Sequence, residues 1–226
     1  MKKASEKITD ISISDPRGFT GEGVSSFHVL PTSLPVSHKI VFRCFTPEDL
    51  PEILRIQKAN LVSNMSEDDK ANGFLSVEFP PEQFIEMNTE IPVVVADLGF
   101  GLGGYLCGSS IQYSRRVPIL AHMISLFPKT LFRRRSLEDY QSFNYGPVCI
   151  DKPFRGHGII EGLYEELLSQ VAGKFEIGVL FISHANPRSL RAHSAKLGME
   201  KVADFTFNEN DFHLLAFEVR DLLGIN

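Results

Sequence analysis

Arg155-Gly156-His157-Gly158-Ile159-Ile160 is the stretch of this chain best suited to hold an anion. Tyr145-Gly146-Pro147-Val148-Cys149-Ile150 runs into it as a short apolar strand. Ile159, Ile160, Leu163, Tyr164, Leu167, Leu168 and Val171 leave it at the spacing of one buried helical face. The two glycines therefore stand at the start of a helix. A first helical turn has N–H groups without internal partners and a partial positive charge, and it attracts phosphate. Glycine there lets a ligand approach the backbone with no Cβ in the way. The chemistry implied is the holding of a diphosphate.

Two other nucleotide cradles are excluded. No Gly-x-x-x-x-Gly-Lys-Ser/Thr run is present. Gly101-Leu102-Gly103-Gly104 is glycine-rich, but it leads into the strand-like Tyr105-Leu106-Cys107 and reads as a hairpin turn. A second constellation lies downstream. Phe181-Ile182-Ser183-His184-Ala185 ends a strand, and Asn186 then opens a helix that runs to Leu197-Gly198-Met199. Asn186 suits the N-cap, Pro187 the first helical position and Gly198 the C-cap.

These two motifs, in this order, resemble the GNAT N-acetyltransferases from about Lys39 to Arg220. Arg155 to Ile160 is similar to that family's Arg/Gln-x-x-Gly-x-Gly/Ala acetyl-CoA signature, with Ile160 where Gly or Ala is usual. Asn186 with Ser189, closing at Leu197-Gly198-Met199, is similar to its Asn-x-x-Ala/Ser helix. The resemblance implies an α/β fold: a mixed, mostly antiparallel sheet flanked by helices and splayed at its central parallel strand pair. It implies acetyl-CoA as cofactor, with acetyl transfer to an amine by direct attack in a ternary complex. Val148, Cys149, Ile150, Arg155, Gly156, His157, Gly158, Ile159, Ile160, Asn186 and Ser189 would then bind the cofactor. Pantetheine would pair with the backbone at Val148 and Ile150, and the Ile150 N–H would polarise the thioester carbonyl.

Proton transfer is assigned by the same resemblance. Many relatives have a tyrosine in the Asn-x-x-Ala/Ser helix to protonate the thiolate. Counting from Asn186 that position falls on His193; counting back from Gly198 it falls on Ser194. A histidine can move a proton near neutral pH, so His193 is the first catalytic candidate, against a structural or cofactor-shell role. Tyr145 and His184 are the others, and Tyr164 reads as core. His157 reads as outward-facing, with added charge for the cradle as its alternative. Glu161 and Glu165 read as solvated. Direct attack leaves Cys149 no nucleophilic role. The seven histidines show no pair at metal-ligand spacing, which predicts no metal.

The elements that must position these groups follow from pattern. Residues 1–38 read as an N-terminal extension and residues 39–226 as one catalytic domain. Lys39 to Phe45 alternates as a strand, and Thr46-Pro47-Glu48-Asp49 resembles a capping box ahead of a helix. Another helix is expected over Glu82 to Met87. Strands are expected over Ile91 to Asp97 and Gly104 to Tyr113. Glu176 to Ser183 is a continuous apolar strand of the kind buried on both faces. Lys201 to Phe207 and Asp211 to Val219 close the chain as an antiparallel pair. Val117 to Arg135 is an insertion whose Ile119, Leu120, Met123, Ile124 and Phe127 share a helical face. It reads as a helix packed over the sheet, with a lid over the acceptor site or a homodimer contact as the alternatives. Arg133-Arg134-Arg135 reads as a solvated cluster, or else as an attractor of an acidic acceptor or of phosphate.

Composition bounds the rest. A net charge of −5 and a pI near 5.8 argue against a nucleic-acid partner. No run approaches the roughly 18 apolar residues of a membrane span, and no signal peptide is apparent at Met1 to Asp10. Three cysteines without a CxxC pair suit reduced thiols and a cytoplasmic location. The expected partner is a small-molecule or peptide amine. The alternative function is a CoA-binding module of the same fold without transferase activity, and transfer of an acyl group other than acetyl is a third reading.

Overall fold

The structure, a computed structural model, describes residues 7–10, 39–65 and 73–219. Its strands in chain order are β1 (Lys7–Asp10), β2 (Lys39–Cys44), β3 (Val94–Asp97), β4 (Leu102–Ser110), β5 (Leu131–Phe132), β6 (Arg135–Ser136), β7 (Ser142–Ile150), β8 (Ile177–Ser183), β9 (Glu200–Phe207) and β10 (Asn210–Glu218). The helices are α1 (Leu50–Asn60), α2 (Pro81–Glu90), α3 (Ile111–Ser114), α4 (Pro118–Ser125), α5 (Ile159–Val171) and α6 (Pro187–Arg191). Eight strands make one sheet in the order β1-β2-β3-β4-β7-β8-β10-β9, while β5 and β6 pair with each other. Every neighbouring pair in the large sheet is antiparallel except β7 with β8. The expected mixed sheet with one parallel pair at its centre is the one observed.

β8 has the composition to occupy that centre. Leu180 and Ile182 pack towards α5, and Ile177 and Val179 pack towards the opposite face, so both faces are buried. The α5 face joins Ile159, Leu163, Leu167 and Val171 to Ile40, Phe42, Ala96 and Leu106. Gly162 lets α5 settle onto the sheet: a Cβ there would lie 2.1 Å from the Phe42 ring. On the other face, α1 and α2 cover β3 and β4 through Ile53, Ile56, Phe84 and Met87. Burying each such side chain stabilises the fold by roughly 1.5–3 kcal/mol.

The inserted segment covers the remaining part of that second face. Ile119, Leu120, Met123 and Ile124 of α4 pack on Val179, Phe205, Phe212 and Leu214. Only Pro118–Ser125 of the insertion is α-helical. The chain then makes the β5–β6 hairpin, whose turn residues Arg133 and Arg134 have φ of 49° and 69°. Two of the three arginines of the cluster, Arg133 and Arg135, are held in ion pairs. Arg133 meets Glu200 at 2.5 Å, and Arg135 meets Glu176 at 2.7 Å and lies 4.2 Å over the Tyr140 ring.

Two expectations shift at boundaries. The strand predicted through Tyr113 ends at Ser110, whose hydroxyl accepts the Tyr113 N–H at 3.0 Å and caps α3. Thr46 precedes a 3-10 turn, Pro47–Asp49, before α1 begins. The Asp49 carboxylate accepts the Thr46 N–H and also pairs with Arg43 at 2.7 Å. Of the proposed extension, Lys7–Asp10 is an edge strand against β2; residues 1–6 and 11–38 lie outside the described residues, as do 66–72 and 220–226. Among the described residues no helix is long and apolar enough to cross a membrane.

Candidate active site

The site begins where two strands part. β7 and β8 pair only at Ser142↔Ile177, Phe143↔Gly178 and Asn144↔Val179. Immediately afterwards β7 carries a bulge at Gly146-Pro147, seen as a register shift against β4 between Leu106 and Gly108. A bulge bends its strand, and proline offers no N–H to a ladder. β7 leaves β8 there, and a V-shaped gap opens. The phase of the β4–β7 ladder then decides which groups face the gap. Asp151 N–H donates to Gly103 O at 2.9 Å, so bonded pairs alternate from there. Val148 and Ile150 fall at the non-bonded positions, with their main-chain polar groups turned from β4 into the gap.

The turn after β7 is tied down on both sides. The Asp151 carboxylate accepts the Lys152 N–H at 2.9 Å and the Arg55 guanidinium at 2.8 Å, while Phe154 is buried in the core. Arg155 folds back: its Nε donates to Ile150 O at 3.2 Å, and its Nη2 reaches Asn60 Oδ1 and Gly73 O. Its guanidinium braces the turn, and Gly156 forms the open edge. Gly156 has φ 89°, and a Cβ built on it meets nothing within 4 Å. Gly158, at φ 77°, is the N-cap of α5.

A groove of about 540 Å³ runs between this turn and α6. Val148, Cys149, Ile150, Arg155, Gly156 and Ile160 line one wall; Asn186, Arg188, Ser189, Arg191, His193 and Lys196 line the other. His157, Gly158 and Ile159 stand behind the first wall. The Ile159 side chain is core, and the His157 ring holds a buried Nδ1 with no hydrogen-bond partner among the described residues. Cys149 contributes main chain alone. Its thiol points into the α1-side core, 4.0 Å from Ile56 O, and burial pushes its pKa up to about 12. Arg188, Arg191 and Lys196 give the second wall a basic character that no motif announces. Arg188 and Arg191 stand one turn apart on a helix too short to show a face.

At the end of the groove the chain places His193. Asn186 Oδ1 caps α6 by accepting the Ser189 N–H at 3.1 Å, and its amide donates to Phe74 O at 3.3 Å. The helix then widens into a π turn over Ala192–Lys196, where Leu197 N–H reaches back to Ala192 O. This turn takes up the extra residue that made the sequence count ambiguous. His193 is turned inward and is 2% exposed, whereas the Ser194 hydroxyl bonds the Leu190 carbonyl at 2.7 Å. His193 Nδ1 lies 2.8 Å from Ser189 O. A carbonyl only accepts, so the proton is on Nδ1 and Nε2 holds a lone pair. Nε2 is buried and has no hydrogen-bond partner among the described residues. Burial lowers the pKa of the ring below 6.5, which keeps it neutral at pH 7.

His193 also borders a second, smaller cavity of about 120 Å³ beyond the groove. Leu75, Val77, Phe79, Val117, Ile119, Leu120, Pro147 and Phe181 make its apolar wall. Tyr145 lines this cavity, edge-on to the His193 ring. Its hydroxyl is buried without a partner among the described residues, and burial holds its pKa well above 10. Tyr164 packs its ring on Phe217 and Tyr145 in the core face, as its position on the helix predicts.

His184 is not brought to this place. Its Nε2 lies 3.1 Å from Asp204 Oδ1 and its ring stacks on His213, 42% exposed on the outer part of the sheet. Ser183 is the last residue of β8 to line the cavity, and the side chain after it points elsewhere. The role expected of His184 as a base in the splay is therefore corrected by position. Glu161 is engaged as well, pairing with Lys196 at 3.0 Å.

No protein-family model matches the chain, and no curated protein matches it in sequence. Solved structures do resemble it. The N-acetyltransferase from Staphylococcus aureus Mu50 superposes with a TM-score of 0.54 at 17% identity, over 80% of this chain and 99% of that one. The ribosomal-protein-alanine N-acetyltransferase from Brucella melitensis gives 0.52 at 20% identity, over 78% and 98%. A chain of the NatC complex bound to Gag peptide and CoA gives 0.53 at 13% identity, over 79% and 98%. The chain has the fold of the GNAT N-acetyltransferases.

Proposed function

We propose that this protein is an acetyl-CoA-dependent N-acetyltransferase working by direct attack in a ternary complex. The observation that carries the proposal is the buried, unpartnered Nε2 of His193, held at the junction of the groove and the apolar cavity. The groove suits a CoA thioester. It offers two left-handed glycines ahead of a helix of 13 residues, open space at Gly156, main-chain groups of Val148 and the Ile150 N–H turned away from β4, and a basic far wall. The NatC relative was solved with CoA, which supports the same choice. Acetyl-CoA supplies the activated acetyl group.

The amides from Gly156 to Ile160 hold the diphosphate, and Val148 and Ile150 pair with the pantetheine arm. Ile150 N–H donates to the thioester carbonyl, where negative charge develops. The amine nitrogen bonds to the carbonyl carbon as the C–S bond breaks. His193 Nε2 takes the proton that the amine gives up, and Ser189 O fixes the tautomer that makes this possible. Tyr145, protonated at rest, gives its proton to the departing thiolate and regains one from solvent before the next turnover. The acceptor enters through the apolar cavity, so it is an amine on a compact apolar body, free or at the end of a peptide. Three free cysteines, two of them buried, accord with a reducing cytoplasm.

The test is calorimetry with CoA followed by thiol release from acetyl-CoA across an amine panel, with and without His193→Ala. Binding and turnover of an apolar amine, lost in the variant, is the expected result. Binding of CoA with no turnover on any amine would make the protein a CoA-binding module, and absence of binding would end the proposal.

A further inference from the structure

The outer strands bring together three side chains far apart in sequence. His213 of β10 lies directly opposite Asp204 of β9, and His184 follows Ser183, which pairs with Phe212. Strand alternation puts the two histidines on the α5 face, in phase with Ile182 and Leu215. His213 Nδ1 is 2.6 Å and His184 Nε2 is 3.1 Å from the same oxygen, Asp204 Oδ1. The rings stack with centroids 3.9 Å apart and planes at 25°. One ligand atom from each residue lies within 4.8 Å of the other two. Lys201 Nζ occupies the remaining carboxylate oxygen, Oδ2, at 2.9 Å.

We propose that His184, Asp204 and His213 form a site for a first-row divalent transition ion, zinc foremost, that ties the end of β8 to β10 and β9. Two imidazoles and one carboxylate make a ligand set that zinc, nickel and copper favour. Zinc takes histidine nitrogen at about 2.0–2.1 Å and carboxylate oxygen at about 2.0–2.2 Å, so tetrahedral ligands stand about 3.3 Å apart. The present separations of 2.6 and 3.1 Å need to widen by only tenths of an ångström. Side chains of His184 and Asp204 that are 42% and 48% exposed can make that move. Lys201 holds Oδ2, so Asp204 binds through Oδ1 alone, and water completes the shell. A ligating ring carries its N–H on the nitrogen that does not bind the ion. The clamp lies two residues before Asn186, the cap of the groove-lining helix, and would stiffen its base. Sequence spacing showed no metal pair because the ligands come from β9, β10 and the turn after β8 and meet only through strand pairing.

The test uses the full chain. Calorimetry with Zn²⁺ is expected to give one site per chain, weakened at least about tenfold by His184→Ala, His213→Ala or Asp204→Asn. His122→Ala and His157→Ala should leave it unchanged. Co²⁺ should give visible d–d absorption in the parent and none in the double variant His184→Ala/His213→Ala. Zn²⁺ should raise Tm in the parent and not in that double variant. Circular dichroism of the variants checks that these substitutions leave the fold intact. No stoichiometric binding of Zn²⁺, Ni²⁺ or Cu²⁺, or equal binding by the double variant, would overturn the proposal.

Discussion

The ring of His193 stands edge-on to that of Tyr145, centroids 5.6 Å apart and planes at 87°, where the groove meets the apolar cavity. Each ring carries a buried polar atom with no partner among the described residues, His193 Nε2 and Tyr145 Oη. Desolvating such atoms costs free energy, commonly about 1–3 kcal/mol each. A bound substrate that partners both recovers it. The pairing also divides the proton work, since one group is a base and the other an acid at pH 7.

His193→Ala removes the base. The expected loss in kcat is about 100- to 10,000-fold, with CoA affinity nearly unchanged, because the diphosphate cradle lies at the other end of the groove. The pH profile gives a second check. His193 acts as a base only when neutral, and burial lowers its pKa, so the acid limb of kcat/KM in the parent should fall below 6.5. Linkage runs the same way. Below pH 6.5 the unfolded chain binds a proton that the folded ring refuses, so stability declines from 6.5 down through the folded pKa. His193→Gln should flatten this part of the stability curve. A limb at or above 6.5 would remove His193 from the mechanism.

Tyr145→Phe separates acid catalysis from packing. No hydrogen bond is lost among the described residues, so thermal stability should hold or rise slightly. A thiolate leaves with little help, so kcat should fall only about tenfold. Equal loss of kcat and of stability would mark the hydroxyl as structural.

Much of this site could be seen in the chain before folding, for reasons that differ by residue. The turn from Arg155 to Ile160 and the cap at Asn186 are local, and their glycines and capping groups act on neighbours a few positions away. The two-faced burial of β8 is written in its unbroken apolar run. The π turn was hidden, since one inserted residue changes the direction of His193 without changing composition. The partners of Arg133 and Arg135, the outward turn of His184 and the meeting of His184 with Asp204 and His213 depend on pairings between distant strands. The role of Arg155 as a brace to Asn60 was hidden for the same reason. Its guanidinium reaches the Ile150 and Gly73 carbonyls and the Asn60 amide oxygen, all on separate elements.

Gly156 tests the cradle. Its φ of 89° is a conformation that L side chains resist, although a Cβ would meet nothing within 4 Å. Gly156→Ala should therefore cost about 1–2 kcal/mol of stability through backbone strain, with a small loss of CoA affinity. Gly156→Glu shares that strain and adds a negative charge at the open edge of the groove. Its CoA affinity should drop at least about tenfold below that of the alanine variant. Equal affinities, measured by calorimetry, would place the diphosphate elsewhere.

Cys149 separates direct attack from an acyl-enzyme route. Its pKa is pushed up to about 12 and its thiol faces the α1-side core, so almost no thiolate exists at pH 8. Cys149→Ala should keep kcat within about twofold and cost roughly 1 kcal/mol of stability. Intact protein given acetyl-CoA without amine should gain no acetyl mass. A burst of CoA release, or an acetylated Cys149, would replace direct attack with a two-step mechanism.

Gly162 and Phe42 set how closely α5 lies on the sheet, and so where its first turn, at Ile160, meets the groove. A Cβ on Gly162 would fall 2.1 Å from the Phe42 ring, and that ring, 1% exposed, has no room to retreat. Gly162→Ala should cost about 1–3 kcal/mol, a fall in Tm of about 2–12 °C. Lifting the helix also moves its first-turn amides, so CoA affinity should fall although Gly162 touches no part of the groove. Phe42→Leu relieves the clash, and the double variant should recover part of both losses, a coupling that independent sites do not show. Additive losses in the double variant would mean that the helix rests on other contacts and that this glycine is not what seats it.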